Sequence, residues 1–179
     1  MKRYLLAVSL IFLIIIAVIG CSFVDRTEAV DNPRIFGATY MTRNNPFFDV
    51  LNDAIAQVVE GNGDILISRD PCQDQEKQNG QILEMIDEGI EVLFLNPVDW
   101  EQVRPALIAC KEAGVVVINI DTVVKDREYV TSIIETDNYQ AGVLCAQDMM
   151  EQVDEAEIVV IDCPWQASIS SRIQGFLDT

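Results

Sequence analysis

Apolar residues along this chain fall in short unbroken runs, and between the runs they recur every three or four positions. The first run, Arg34-Ile35-Phe36-Gly37-Ala38-Thr39, is followed by Leu51, Ile55 and Val58, a spacing that predicts the inner stripe of a helix. Asn45 stands as its N-cap with Pro46 at the first helical position, and Gly61-Asn62-Gly63 stops it. The alternation then repeats. A strand is predicted over 64–68, then a helix over about 76–88 with Ile82, Leu83 and Ile86 inward, then a strand over 91–95. Asp99 and Gln102 form a capping-box-like pair, and Pro105 calls for a tight turn before a regular helix that Gly114 ends. A strand over 115–120 follows, then a strand-like stretch over 128–135 and a helix over 138–152 capped by Asp137 and Gln140. The pattern closes with a strand over 158–161 and a helix beginning near Ser168. Continuous apolar runs alternating with helices read as an α/β fold whose parallel sheet is flanked by helices.

Three of these strands break off at polar residues. The first leads into Asn44-Asn45-Pro46-Phe47-Phe48, the third ends in Asn96-Pro97, and the fourth ends in Asp121-Thr122. Ligands of open α/β sheets bind at the carboxyl ends of the strands, so Asn45, Asn96 and Asp121 are expected along one edge with two phenylalanines beside them. Amides and a carboxylate next to an aromatic face suit a molecule with many hydroxyls and apolar C–H faces, which is a monosaccharide. Each residue also has a structural reading. Asn45 serves as cap and contact together, and Asn96 either shapes the site or only fixes the turn before Pro97. One of Phe47 and Phe48 is expected to pack on Leu51, because adjacent helical positions point about 100° apart. An acid such as Asp121 at the end of a long apolar strand is costly without a partner. Trp165, in Cys163-Pro164-Trp165-Gln166, either stacks on a ligand or packs against its own lobe.

Composition narrows the classes. The chain has 179 residues, 50% of them hydrophobic, enough for one substantial domain and part of a second. Its net charge of −17 leaves no basic footprint for nucleic acid. With no histidine, the commonest general base and metal ligand are missing, and no metal or cofactor is expected. Gly37-Ala38-Thr39-Tyr40-Met41-Thr42 is not the glycine fingerprint of a dinucleotide site, so an enzyme is not expected. At the N-terminus, Lys2-Arg3 precede an apolar run over 5–19 that closes on Val18-Ile19-Gly20-Cys21. This looks like a bacterial lipobox with Cys21 diacylated; the rival reading is an uncleaved membrane anchor. Either places the rest outside the cytoplasmic membrane. Residues 22–33 read as a tether. Cys72, Cys110, Cys145 and Cys163 do not suggest a disulfide framework, and Cys110 and Cys145 read as buried free thiols.

Six segments, taken in order, carry a resemblance. They are Thr42 to Phe48, Gln73 to Gln78, Leu95 to Asp99, Asn119-Ile120-Asp121, Thr136 to Gly142, and Arg172 to Phe176. Together they resemble the ribose-binding-protein branch of bacterial periplasmic binding proteins, the receptors of ABC sugar importers, with two hinged lobes of the type I fold. The resemblance implies sugar contacts from Asn45 and Phe47 or Phe48, a cleft shaped by Asn96, two hydroxyls donating to Asp121, and Arg172 reaching across from the second lobe. It implies an ABC permease as partner; a chemoreceptor or sensor kinase is the alternative. One position departs: Thr122 stands where ribose binders typically carry arginine, which argues against ribose itself. On this reading residues 1–20 are a lipoprotein signal peptide, 21–33 a tether, 34–135 a nearly complete sugar-binding lobe and 136–179 the start of a truncated second one. The 179-residue chain is then expected to pair a stable first lobe with a loosely ordered C-terminal portion and weak or no sugar binding.

Overall fold

The computed structural model describes residues 32–179; the expected signal peptide, Cys21 and nearly all of the expected tether lie outside the described residues. Five strands form one wholly parallel sheet: β1 (Ile35–Thr39), β2 (Ile65–Arg69), β3 (Val92–Leu95), β4 (Val116–Ile120) and β5 (Ser132–Ile134). Their order across the sheet is β2-β1-β3-β4-β5. The chain moves from β1 to one side for β2 and crosses back to the other for β3. That reversal opens a crevice beyond the carboxyl ends of β1 and β3.

Helices cover both faces, because successive strand residues point to opposite sides. On one face Leu93, Leu95 and Val117 pack with Ile82 and Met85 of α2 (Gln75–Asp87) and with Ala106, Leu107 and Cys110 of α3 (Arg104–Ala113). Burial there pushes the Cys110 thiol up to about 12. On the other face Ala38, Tyr40 and Ile120 pack with Phe48 of α1 (Pro46–Gly61), and Leu51, Ile55, Phe94 and Ile118 close around them. The remaining helices, α4 (Asn138–Gln152) and α5 (Ala167–Leu177), pack mainly on each other.

The helix starts follow local chemistry. Asn45 accepts from the Phe47 amide, Asp74 from Lys77 and Asp137 from Gln140. Asp99 Oδ1 accepts from the amides of Glu101 and Gln102, both at 2.9 Å, and closes a turn before α3. Burial raises the Asp99 pKa, but these bonds and the Gln102 side chain outweigh it and leave the carboxyl below its usual range. Asp99→Ala is expected to cost about 1 kcal/mol, as for other caps. A group depressed in the folded state stabilises above its unfolded pKa and stops doing so as pH falls through the folded value. Urea unfolding from neutral to acid pH should therefore show the variant's deficit shrinking towards zero.

Several expectations need correction. The inner stripe of α1 runs through Phe48, Asn52 and Val59, with Val58 exposed. Leu51 and Ile55 pack inward as expected, and only in the last turns does Val59 take the place of Val58. In α2, Met85 takes the inward place expected of Leu83, which is exposed. The 128–135 stretch is a 3₁₀ turn, Arg127–Tyr129, followed by the three-residue β5. Residues 158–161 form no strand, and Val159 and Ile161 are 90% and 91% exposed. A strand needs a paired neighbour, and no strand of the sheet pairs with this run among the described residues. Cys110 is buried as expected, but Cys145 lies exposed on α4. Cys72, Cys110, Cys145 and Cys163 are all free thiols.

Candidate functional site

Two strand ends and two helix starts converge on one cleft of about 320 Å³. Past β1 come Met41, Asn45, Phe47 and Phe48; past β4 comes Asp121; Thr136 and Asn138 stand at the start of α4; Gln166, Ser168, Ile169 and Arg172 belong to the start of α5.

Proline at the first helical position and the Asn45 cap fix the entry of α1. The two rings that follow then divide. Phe48 is 2% exposed and stacks on Tyr40 at 5.6 Å between centroids. Phe47 is 54% exposed and meets Phe48 edge-on at 5.2 Å. Phe48 is thus the ring that packs with Leu51, and Phe47 gives the cleft an open aromatic face.

Asp121 sits just past β4 with φ of 63°, a left-handed backbone that few non-glycine residues adopt. Its amide donates to the Ile134 carbonyl at 2.9 Å, continuing the β4–β5 ladder by one residue. Burial raises the pKa of its carboxyl, opposed by hydrogen bonds from Thr122 and Asn96 and by the charge of Arg172. Arg172 donates to Asn138 Oδ1, joining the starts of α4 and α5. Asn138 is buried and its amide also reaches the Thr136 carbonyl at 3.0 Å.

Of the eight positions expected to bind ligand, Asn45, Phe47, Phe48, Asp121 and Arg172 line the cleft. Asn96, Thr122 and Trp165 do not. Asn96 is fully buried, its side chain spent on the Met41 amide, the Ile120 carbonyl and Asp121. Thr122 is also fully buried, its hydroxyl 3.1 Å from Ser168 Oγ. Trp165 is exposed and outside the cleft lining, and its carbonyl accepts from the Trp100 amide at 3.4 Å. Sequence reasoning missed Asn138, Gln166 and Ser168. Asn138 was within reach, because it follows the Asp137 cap as Pro46 follows Asn45.

The cleft is close to charge-balanced, with one carboxylate and one guanidinium among amides, hydroxyls, a thioether and hydrocarbon. Such a lining offers donors and acceptors to a neutral polar molecule and little to an ion. Among the described residues no group of His, Cys, Asp or Glu side chains is placed to hold a metal.

Comparison with known proteins adds the ancestry. The profile of a family described as "Periplasmic binding protein domain" matches residues 36–179. The ribose import binding protein RbsB of Bacillus subtilis is 26% identical over 142 residues, which is 78% of this chain and 46% of that protein. RbsB of Escherichia coli is 27% identical over 119 residues, 66% of this chain and 40% of that one. A solved ABC transporter solute-binding protein from Mycobacterium smegmatis with bound glycerol superposes with a TM-score of 0.76 at 29% identity, over 82% of this chain and 51% of that one. A Caulobacter myo-inositol binding protein superposes at 0.73 with 20% identity, over 82% and 51%, and supports the fold alone. The chain spans about half the length of the relatives it matches.

Proposed function

Since the chain belongs to the periplasmic binding protein domain family, with the type I fold's parallel sheet and flanking helices, we propose that its cleft takes a neutral monosaccharide or polyol. We further propose that the protein is an extracytoplasmic receptor, anchored through lipid on Cys21, that delivers this ligand to an ABC importer. In this reading residues 34–135 are the first lobe and 136–179 open the second.

One observation carries the ligand class. A charge-balanced cleft sets the exposed ring of Phe47 beside Asn45, Asp121, Asn138, Ser168 and Arg172. The ring suits the apolar C–H face of a sugar, and the polar groups suit its hydroxyls. The relatives named for ribose and the neighbour holding glycerol support the same class. Thr122 is buried and uncharged, so the pattern favours another pentose, a hexose or a polyol over ribose.

NMR titration of the chain with pentoses, hexoses and polyols tests this, since amide shifts report even weak binding. Shifts at Asn45, Phe47, Asp121 and Ser168 are expected for at least one neutral sugar, and none for sugar phosphates. Silence across the neutral panel would sink the reading. For the anchor, metabolic labelling with a fatty-acid analogue should mark the wild type and not Cys21→Ala. Equal labelling of both would exclude lipidation at that residue.

A further inference from the structure

The carboxylate of Asp121 is gripped through one oxygen. Oδ2 accepts from Asn96 Nδ2 at 3.0 Å and from Thr122 Oγ1 at 3.4 Å. No protein group among the described residues donates to Oδ1. Both gripping residues are 0% exposed, and neither lines the cleft.

Asn96 is itself pinned. Its Oδ1 accepts from the Met41 amide at 3.1 Å, and its main-chain carbonyl accepts from Gln78 Nε2 at 3.0 Å. Gln78, fully buried, in turn accepts from the Val98 amide through Oε1 at 2.9 Å. Thr122 is fixed from another direction, because the buried Asn119 amide donates to its carbonyl at 2.9 Å. Its hydroxyl pairs with Ser168 Oγ, on the cleft wall in the first turn of α5. Asp121 holds a left-handed backbone conformation, which its short polar side chain tolerates, and its carboxylate is held by these neighbours.

We propose that Asn96 and Thr122 are positioning residues: they occupy Oδ2 of Asp121, leave Oδ1 as the acceptor a ligand hydroxyl meets, and through Ser168 tie that setting to α5. The proposal rests on the sugar reading and deepens it. Residue 122 then acts on affinity without touching the ligand.

The test reads the carboxylate directly. In the 179-residue chain, the Asp121 titration midpoint is followed by carboxyl ¹³C NMR in wild type, Thr122→Val, Thr122→Ser and Asn96→Ala. Arg172, the charged group named beside Asp121, is present in all four. Removing a donor to the charged form raises a carboxyl pKa, so the midpoint is expected to move up in Thr122→Val and Asn96→Ala and to return in Thr122→Ser. Should the valine variant fail to fold, Thr122→Ala gives the same readout. An unchanged midpoint in a folded Thr122→Val, or a serine that does not restore it, overturns the proposal. In parallel, D-ribose, L-arabinose, myo-inositol and glycerol are titrated. A compound that binds wild type should bind Thr122→Val roughly three- to tenfold more weakly, the worth of one hydrogen bond, and Thr122→Ser as wild type. Binding of none of the four would count against the sugar reading, and the midpoint would still decide the positioning role.

Discussion

Asp121→Ala is expected to weaken binding of a cleft ligand by roughly ten- to a hundredfold, since a hydrogen bond to a charged group contributes about 1.5–3 kcal/mol. The residue is the carboxylate on the cleft wall, and Oδ1 has no protein donor among the described residues. Alanine adds a second cost. At φ of 63° a residue without a short polar side chain is strained by about 1–2 kcal/mol. Asp121→Asn separates the two effects, because asparagine tolerates that conformation while losing the charge and turning one acceptor oxygen into an amide donor. It should lose about tenfold in affinity and nothing in stability. The pH dependence gives a further check. Burial raises the Asp121 pKa in the folded state, so the folded chain holds this proton more tightly than the unfolded one. Stability from this group is full below the unfolded value and falls as pH rises through the raised folded value. Wild type should show that decline in chemical denaturation, and Asp121→Asn should not. Equal affinity in wild type and both variants would reduce Asp121 to a structural role.

The second large effect is expected in the α4–α5 pair. Gly142 and Gly175 sit where the two helix backbones touch. A Cβ on Gly142 would lie 1.9 Å from the Arg172 carbonyl oxygen, and one on Gly175 would lie 2.0 Å from that of Tyr139. Backbone cannot yield as a flexible side chain can, so alanine at either place must force the helices apart. Overpacking of this kind costs roughly 1–3 kcal/mol, and the double variant should lose the pairing altogether. Separation would also carry Arg172 away from Asn138 and strip one wall from the cleft. Hydrogen exchange should report faster exchange throughout α4 and α5 in Gly142→Ala, with β1, β3 and β4 unchanged. Exchange that accelerates equally in the sheet would mean that the pair and the sheet unfold as one unit.

The fold was legible where local chemistry decides it. Asn45-Pro46, Asp99 and Asp137 announce helix or turn starts, and Gly114 takes the left-handed end of α3. What failed depends on partners distant in sequence. Residues 158–161 have every mark of a strand, but pairing is a property of two segments, and periodicity reads only one. Val58 and Leu83 give way to Val59 and Met85, because the sheet they pack against decides which of two nearby apolar residues is buried. The site divides in the same way. Asn45, Phe47 and Asp121 were marked by their places at strand ends, and the structure puts them on the cleft. Asn96 and Thr122 carry the same mark, yet they lie behind the wall. The left-handed turn at Asp121 breaks the alternation by which strand-end side chains are assigned a direction. Gln166 and Ser168 arrive with α5, and nothing in their neighbourhood along the chain says what that helix crosses.

The strand order also bears on how the sheet can be assembled in time. Ile35 meets Ile65 and Phe36 meets Val92, whereas later pairings link Val92 to Val116 and Ile118 to Ser132. The widest loop is therefore closed when β3 docks, and every later closure is shorter and entropically cheaper. Each new strand finds its template already laid down on the N-terminal side. Beyond β3 the growing edge is always the strand made last. A chain threaded out of a ribosome or a secretion pore N-terminus first can add β3, β4 and β5 in the order they emerge, with no strand held waiting for a partner not yet made.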